Sequence, residues 1–324
     1  MTAATRHYSN PRIDRDRIRA DAAAGVVRPD ATKILWVGTM LLAGTLGSAL
    51  TISAGAVAVF IGSTAVTLLF GHSLGMHRRL IHRSYRCPRW MEYLFVHLGV
   101  LVGLAGPIGM LKTHDLRDWA QRQPDCHDYF SHGQVWYRDL WWQLCCTIRL
   151  RCPPEIRIEP AIAADPVYRW MERYWMWQQL PWAVLLFAVG GSGWVFWGIA
   201  SRVSVSVAGH WLIGYFAHNR GHRDWHVDGA AVQGHNVRWT ALLTMGECWH
   251  NNHHAFPGSA KLGIEPGQWD PGWWVLTGLM RVGLVDRVVL PGALPGRDDL
   301  VRIGEAKPAA AAIAVRRGVR CPGA

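Results

Sequence analysis

Residues 34–70 read ILWVGTMLLAGTLGSALTISAGAVAVFIGSTAVTLLF, 37 positions without one Asp, Glu, Lys, Arg or His. As a single α-helix this stretch would run about 55 Å, against a hydrocarbon core of about 30 Å. It is therefore read as a hairpin of two spans, turning between Gly47 and Gly55. Residues 180–216 repeat the arrangement over another 37 positions, with only Arg202 and His210 charged or titratable and a break at Gly190-Gly191-Ser192-Gly193. Soluble cores rarely tolerate such runs. The expected fold class is all-α: an integral membrane protein with four transmembrane helices in two hairpins.

Composition supports this outward from the two runs. Of 324 residues half are hydrophobic, only 18% are charged and 19 are Trp, which excludes a disordered or fibrous chain and argues against an ordinary soluble globule. The net charge of +11 is interleaved with apolar stretches rather than collected on one polar domain, so it is assigned to cytoplasmic segments and not to a nucleic-acid partner. Lys and Arg are dense in 1–33, 78–89 and 112–173 and absent from both hairpin turns. Both termini and the His clusters are thus expected on the cytoplasmic side, in a bacterium the cytoplasmic side of the inner membrane. Residues 91–110 are apolar too, but crossing there would separate the His cluster before them from His114 after them, so they are read as re-entrant or interfacial. Residues 136–182, rich in Trp, Arg and Pro, suit helices at the headgroup level. Three regions follow: a basic segment 1–33, a membrane domain 34–302 and a tail 303–324. The seven cysteines are odd in number and form no CxxC, and they read as reduced thiols.

The chain holds 16 His, most of them in tight clusters. His77 and His82 are five apart, which on a continuous α-helix places them about 140° from each other. Either the helix ends between them or they serve different metals. His250, His253 and His254 stand at i, i+3 and i+4, on one helical face, and should converge on one point. His218, His222 and His226 are four apart on the continuation of the last span; for His222 and His226 a solvated face is an equal reading. Imidazole-rich sites suit Fe, Cu, Ni or Zn, of which zinc has no redox chemistry. A site at the mouth of a membrane hairpin points to a lipid substrate, and breaking an unactivated C–H bond needs activated oxygen. Iron is the metal expected.

These residues carry a resemblance. HRRLIHRSY at 77–85, GECWHNNHHAFPGSAKLG at 246–263 and AHNRG at 217–221 resemble the membrane acyl-CoA (fatty acid) desaturase family of the stearoyl-CoA desaturase type, over about 34–291. The resemblance implies four spans and a cytoplasmic dinuclear iron site held by boxes HxxxxH, HxxHH and HxxHH plus one further His. It implies an enzyme that uses molecular oxygen and electrons from a small redox carrier to place a cis double bond in an acyl-CoA or lipid-linked acyl chain. His77 and His82 match the first box, His250, His253 and His254 the third, and His218 the further ligand. No HPGG signature of cytochrome b5 occurs in the chain, so a separate ferredoxin or cytochrome b5 is the expected donor, drawn to the basic face.

The middle box departs from the family. His114 is present, but the following His pair is replaced by Arg117-Asp118, and a family Asn four residues before the further His is Gly214. Asp118 is four residues from His114 and can present a carboxylate to the same point; the alternative is an ion pair with Arg117 or Arg122 at the surface. His72, His127, His132 and His222 are spare imidazoles. The altered box leaves two other readings open: a hydroxylase or ketolase of the same fold, and a catalytically silent lipid-binding homologue that has lost one metal.

Overall fold

A computed structural model describes residues 8, 10–13 and 23–304. The expected tail lies outside the described residues from 305 onward, as do 1–7, 9 and 14–22 of the N-terminal segment. The helices that carry the fold are α1 (Ala31–Leu50), α2 (Ala54–Ile81), α3 (Arg89–Leu101), α4 (Pro107–Gln121), α5 (Trp136–Cys145), α6 (Pro166–Arg173), α7 (Gln179–Asn219), α8 (His250–Ala255) and α9 (Pro271–Arg281). Among the described residues α1, α2 and α7 are long and apolar enough to cross a membrane. Only 17% of the most apolar window of each is buried, so their Leu, Val and Phe side chains face outward, toward lipid. The α1–α2 turn falls at 51–53, inside the expected region, and the Ser53 hydroxyl caps α2 by accepting from the Ala56 N–H at 3.2 Å.

Helix α7 is interrupted where the glycine run predicts. Gly191 takes φ 68° and ψ −166°, a conformation open to glycine alone. Beyond it the chain doubles back: a Cβ on Gly198 would lie 2.7 Å from Leu186 Cδ1, although twelve helical residues would separate them by about 18 Å. The limb before Gly191 is about 18 Å long; because the two limbs run on as the one helix α7 (Gln179–Asn219), three spanning helices are present by length where four were expected. Arg202, the one charge in this run, is buried. Its Nε donates to Gly198 O at 2.7 Å, Nη2 to Gln179 Oε1 at 2.5 Å, and Nη1 to Leu101 O at the end of α3.

Residues 91–110 do not form one crossing. They divide into α3 and the start of α4, with the reversal at Gly103 (φ 89°). Helix α3 lies backbone against backbone along α2. A Cβ on Gly71 would meet the Leu98 carbonyl carbon at 2.3 Å, and one on Gly75 the Phe95 oxygen at 2.4 Å. This small-residue pair, spaced four apart, sets the approach. His114 is thereby returned to the side of His77.

Two antiparallel ribbons add to the expected all-helical fold: β1 (Gly25–Pro29) with β2 (Cys146–Leu150), Gly25 opposite Leu150, and β3 (Trp225–Val227) with β4 (Leu300–Arg302). The first ribbon packs part of the N-terminal segment onto the domain. Arg12, from the same segment, is buried, donating to Ile81 O at 2.9 Å and pairing with Asp115 at 3.2 Å and Glu159 at 2.9 Å. Cys87, Cys126, Cys145, Cys146 and Cys248 are free thiols. Substituting Gly75→Val should cost about 1–3 kcal/mol by forcing α2 and α3 apart. It should lower the unfolding temperature of the detergent-solubilised protein, while Gly62→Ala, whose added Cβ meets nothing within 4 Å, does not lower it.

Candidate metal centre

The lower part of α2, Thr67–Ile81, is wound with i→i+5 hydrogen bonds, the pattern of a π-helix, and the His82 N–H continues it by donating to His77 O at 3.0 Å. With that winding, residues five apart stack one turn above another. His77 and His82 therefore face the same way, their ring centroids 4.7 Å apart. The 140° of a continuous α-helix does not apply: of the two readings offered, the helix ends between them, at Ile81, and both imidazoles join one group.

His114 comes from α4 and His253 from α8. The ligand nitrogens of His77, His82, His114 and His253 all lie within 4.8 Å of one another. A second group, His218, His250 and His254, meets the same limit, with His250 Nε2 at 3.1 Å from His218 Nε2 and 3.0 Å from His254 Nε2. The three histidines of α8 do not converge on one point as expected. His250 and His254 are a full turn apart on one flank, whereas His253 is offset by about 100° from His254 and turns to the other group. Helix α8 thus sits between the two clusters and feeds both.

The box's two asparagines anchor this short helix. Asn251 Oδ1 accepts from the Asp224 and Trp225 N–H groups at 2.8 and 2.9 Å, and Asn252 Nδ2 donates to Leu262 O at 2.7 Å. Arg297 Nη1 donates to the His254 and Ala255 carbonyls at 3.0 and 2.8 Å. Glu247, which the sequence reading left without a role, brings its carboxylate to 2.6 Å from His77 Nδ1 and is held by Arg78 at 3.3 Å, itself paired with Asp270 at 2.8 Å. A carboxylate on Nδ1 fixes the tautomer that leaves Nε2 free for a metal. The signal in the sequence was an acid three residues before a His box.

Other expected residues lie elsewhere. His72 packs against His210, ring centroids 5.1 Å apart, outside both groups. The helical stripe expected for His218, His222 and His226 stops at Asn219; His222 is exposed and paired with Asp224 at 2.9 Å, and His226 meets Asp228 at 3.3 Å. His127 caps its own turn. His132 spends Nδ1 on Asp139 and Nε2 on Arg117, both at 2.8 Å. Asp118 belongs to neither group. It is buried rather than superficial and faces Arg122 at 3.8 Å.

Burial pushes the titration of His82, His253 and His254 well below the usual imidazole range, with neighbouring imidazoles adding to the effect. It lowers His250 to about 3. Desolvation works the same way on His114, but the charge of Asp118 and the contact with Asp115 outweigh it and raise that group. Both ring nitrogens of His253 are buried without a hydrogen-bond partner. Neutral, converging and otherwise unsatisfied imidazoles are what a transition metal requires, so the residues present fit the pair of metal ions that the sequence implies.

A helical membrane protein with two adjoining polyhistidine groups is built for transition-metal chemistry beside a lipid. The chain belongs to the fatty acid desaturase family, whose profile, described as "Fatty acid desaturase", matches residues 51–260; it is an oxidoreductase, a membrane fatty acyl desaturase. It is 33% identical over 265 residues to an sn-1 stearoyl-lipid 9-desaturase of Anabaena variabilis, covering 80% of this chain and 95% of the relative. An sn-2 palmitoyl-lipid 9-desaturase of Nostoc sp. (strain 36) is 31% identical over 226 residues, 68% of this chain and 76% of the relative. An acyl-CoA 5-desaturase of Anemone leveillei is 31% identical over 234 residues, 72% of this chain and 71% of the relative.

Two outcomes are expected. Glu247→Gln should weaken metal binding about 10–100-fold, the usual cost of losing a partner behind a ligating His, measured by chelator competition. In metal-stripped protein the lowered histidines stay neutral when folded and take protons when unfolded. The stability they contribute is present above about 6.5 and lost as pH falls toward about 3. His114, being raised, acts oppositely but is one group against four. The unfolding temperature should drop steadily on acidification through that window.

Proposed function

We propose that this desaturase places a double bond in a lipid-linked acyl chain through two iron ions, one held by His77, His82, His114 and His253 and the other by His218, His250 and His254. The observation that carries this is the division of seven buried or half-buried imidazoles into two groups joined by α8. Iron bound there would supply, with molecular oxygen and two electrons, the oxidising power to take two hydrogens from adjacent methylenes, which no side chain can do. Glu247 orients His77, and burial keeps His82, His250, His253 and His254 unprotonated. Asp118 acts through its charge on His114 rather than as a donor atom.

A lipid-linked chain is favoured over acyl-CoA because the relative matched over 95% of its length is named for an acyl lipid. The doubling back at Gly191 supports a second membrane hairpin and hence four spans, with both termini and the metal side facing the cytoplasm at a bacterial inner membrane. Electrons would come from a separate acidic carrier, of ferredoxin or cytochrome b5 type, attracted by the basic cytoplasmic face. Residues 34–302 form the enzyme domain in this reading.

Expression in a host without its own desaturase should yield a new monounsaturated chain esterified in membrane lipid. His253→Ala should abolish it while leaving membrane insertion intact. A product heavier by one oxygen would instead mean hydroxylation, and new unsaturation confined to the CoA pool would overturn the lipid-linked substrate.

A further inference from the structure

The two histidine groups are unequal, four imidazoles against three, and the shortage lies beside Arg117. That side chain donates to His132 Nε2 at 2.8 Å, Phe130 O at 3.3 Å and Gln143 Oε1 at 2.7 Å, and His132 stacks on His218 with centroids 5.6 Å apart. Arg117 therefore stands on the flank of the three-histidine group. A guanidinium has no lone pair to offer a metal. His132 has committed both its nitrogens, to Asp139 and to Arg117.

Gln121 also reaches this group. It ends α4, seven residues after His114, and so lies on the same helical face about 10.5 Å further along. It is 1% exposed. Its Nε2 lies 3.0 Å from His218 Nε2, the atom that would bind metal, and 2.8 Å from Phe130 O. Its Oε1 is buried with no hydrogen-bond partner. A buried amide oxygen left unpaired is costly and rarely retained without use. The terminal amide torsion is soft, so a turn about it brings Oε1 to the metal side of His218 at the cost of the Nε2 bond to Phe130 O, which must move away from the incoming oxygen and keeps its bond from Arg117.

We propose that Gln121 Oε1 is the fourth donor of the His218, His250, His254 site, standing in for one of the two imidazoles this chain lacks. Helix α4 then supplies one ligand to each metal, His114 to the first and Gln121 to the second. A neutral amide oxygen is a weaker ligand than an imidazole for a first-row transition metal, so the second site binds less tightly than the first. This rests on the dinuclear reading of the centre.

Cobalt(II) titration of the detergent-solubilised, metal-stripped full chain, followed by its visible absorption, tests it without reference to turnover. The wild type should take up two ions in two resolved phases. Gln121→Leu should leave the first phase unchanged and weaken the second by about tenfold or more, whereas Gln121→His should keep two ions and tighten the second. An unchanged second phase in Gln121→Leu overturns the assignment of Gln121 alone. Fewer than two ions in the wild type overturns the dinuclear reading, and this inference with it. An intact first phase in Gln121→Leu excludes misfolding as the cause of the loss.

Discussion

Seven imidazoles gathered in a dry interior cannot all carry charge, and the protein gives several of their nitrogens nothing to bond with. Everything around them serves to hold this unfavourable assembly together. Helix α2 is wound into i→i+5 bonding so that His77 and His82 face one way. Gly71 and Gly75 then let α3 lie directly on that stretch, and α4 returns His114 to the same side. Arg12 closes the end of the π-wound stretch: its guanidinium donates to the Ile81 carbonyl that the helix leaves free.

The surrounding charges follow the same logic. Arg78, Glu247 and Asp270 form a buried ionic network behind His77. Buried pairs of this kind add little net stability over a well-packed apolar core, so their value lies in orientation. They fix which nitrogen of His77 bears the proton. The membrane-facing half shows the converse: Arg202, alone in an apolar helix, is satisfied by two carbonyls and an amide rather than by a counter-charge, as the scarcity of water there demands.

Helix α8 is the joint between the two halves of the centre. Six residues long, it is too short to stand by itself and is held by Asn251, Asn252 and Arg297. Because it feeds both histidine groups, any displacement of it reaches both at once. The two groups are not equivalent, since α4 brings an imidazole to one and only an amide near the other.

The sequence by itself determined the membrane setting, because a run of 37 residues without charge has no other solvent, and it singled out the seven histidines that the fold gathers into two groups, because their spacing resembled a known pattern. The break at Gly191 was also legible, as glycine alone accepts that backbone. What only the tertiary structure decided was the partition of those histidines. Helical angles computed from an α-helix misplaced His77 against His82, since local winding responds to packing and not to spacing alone. They likewise grouped His253 with His250 and His254, because a single face about 100° wide looks undivided until two partners approach it from different sides. Glu247 and Gln121 were invisible for a related reason: a lone acid or amide acquires a role only from what the fold sets beside it.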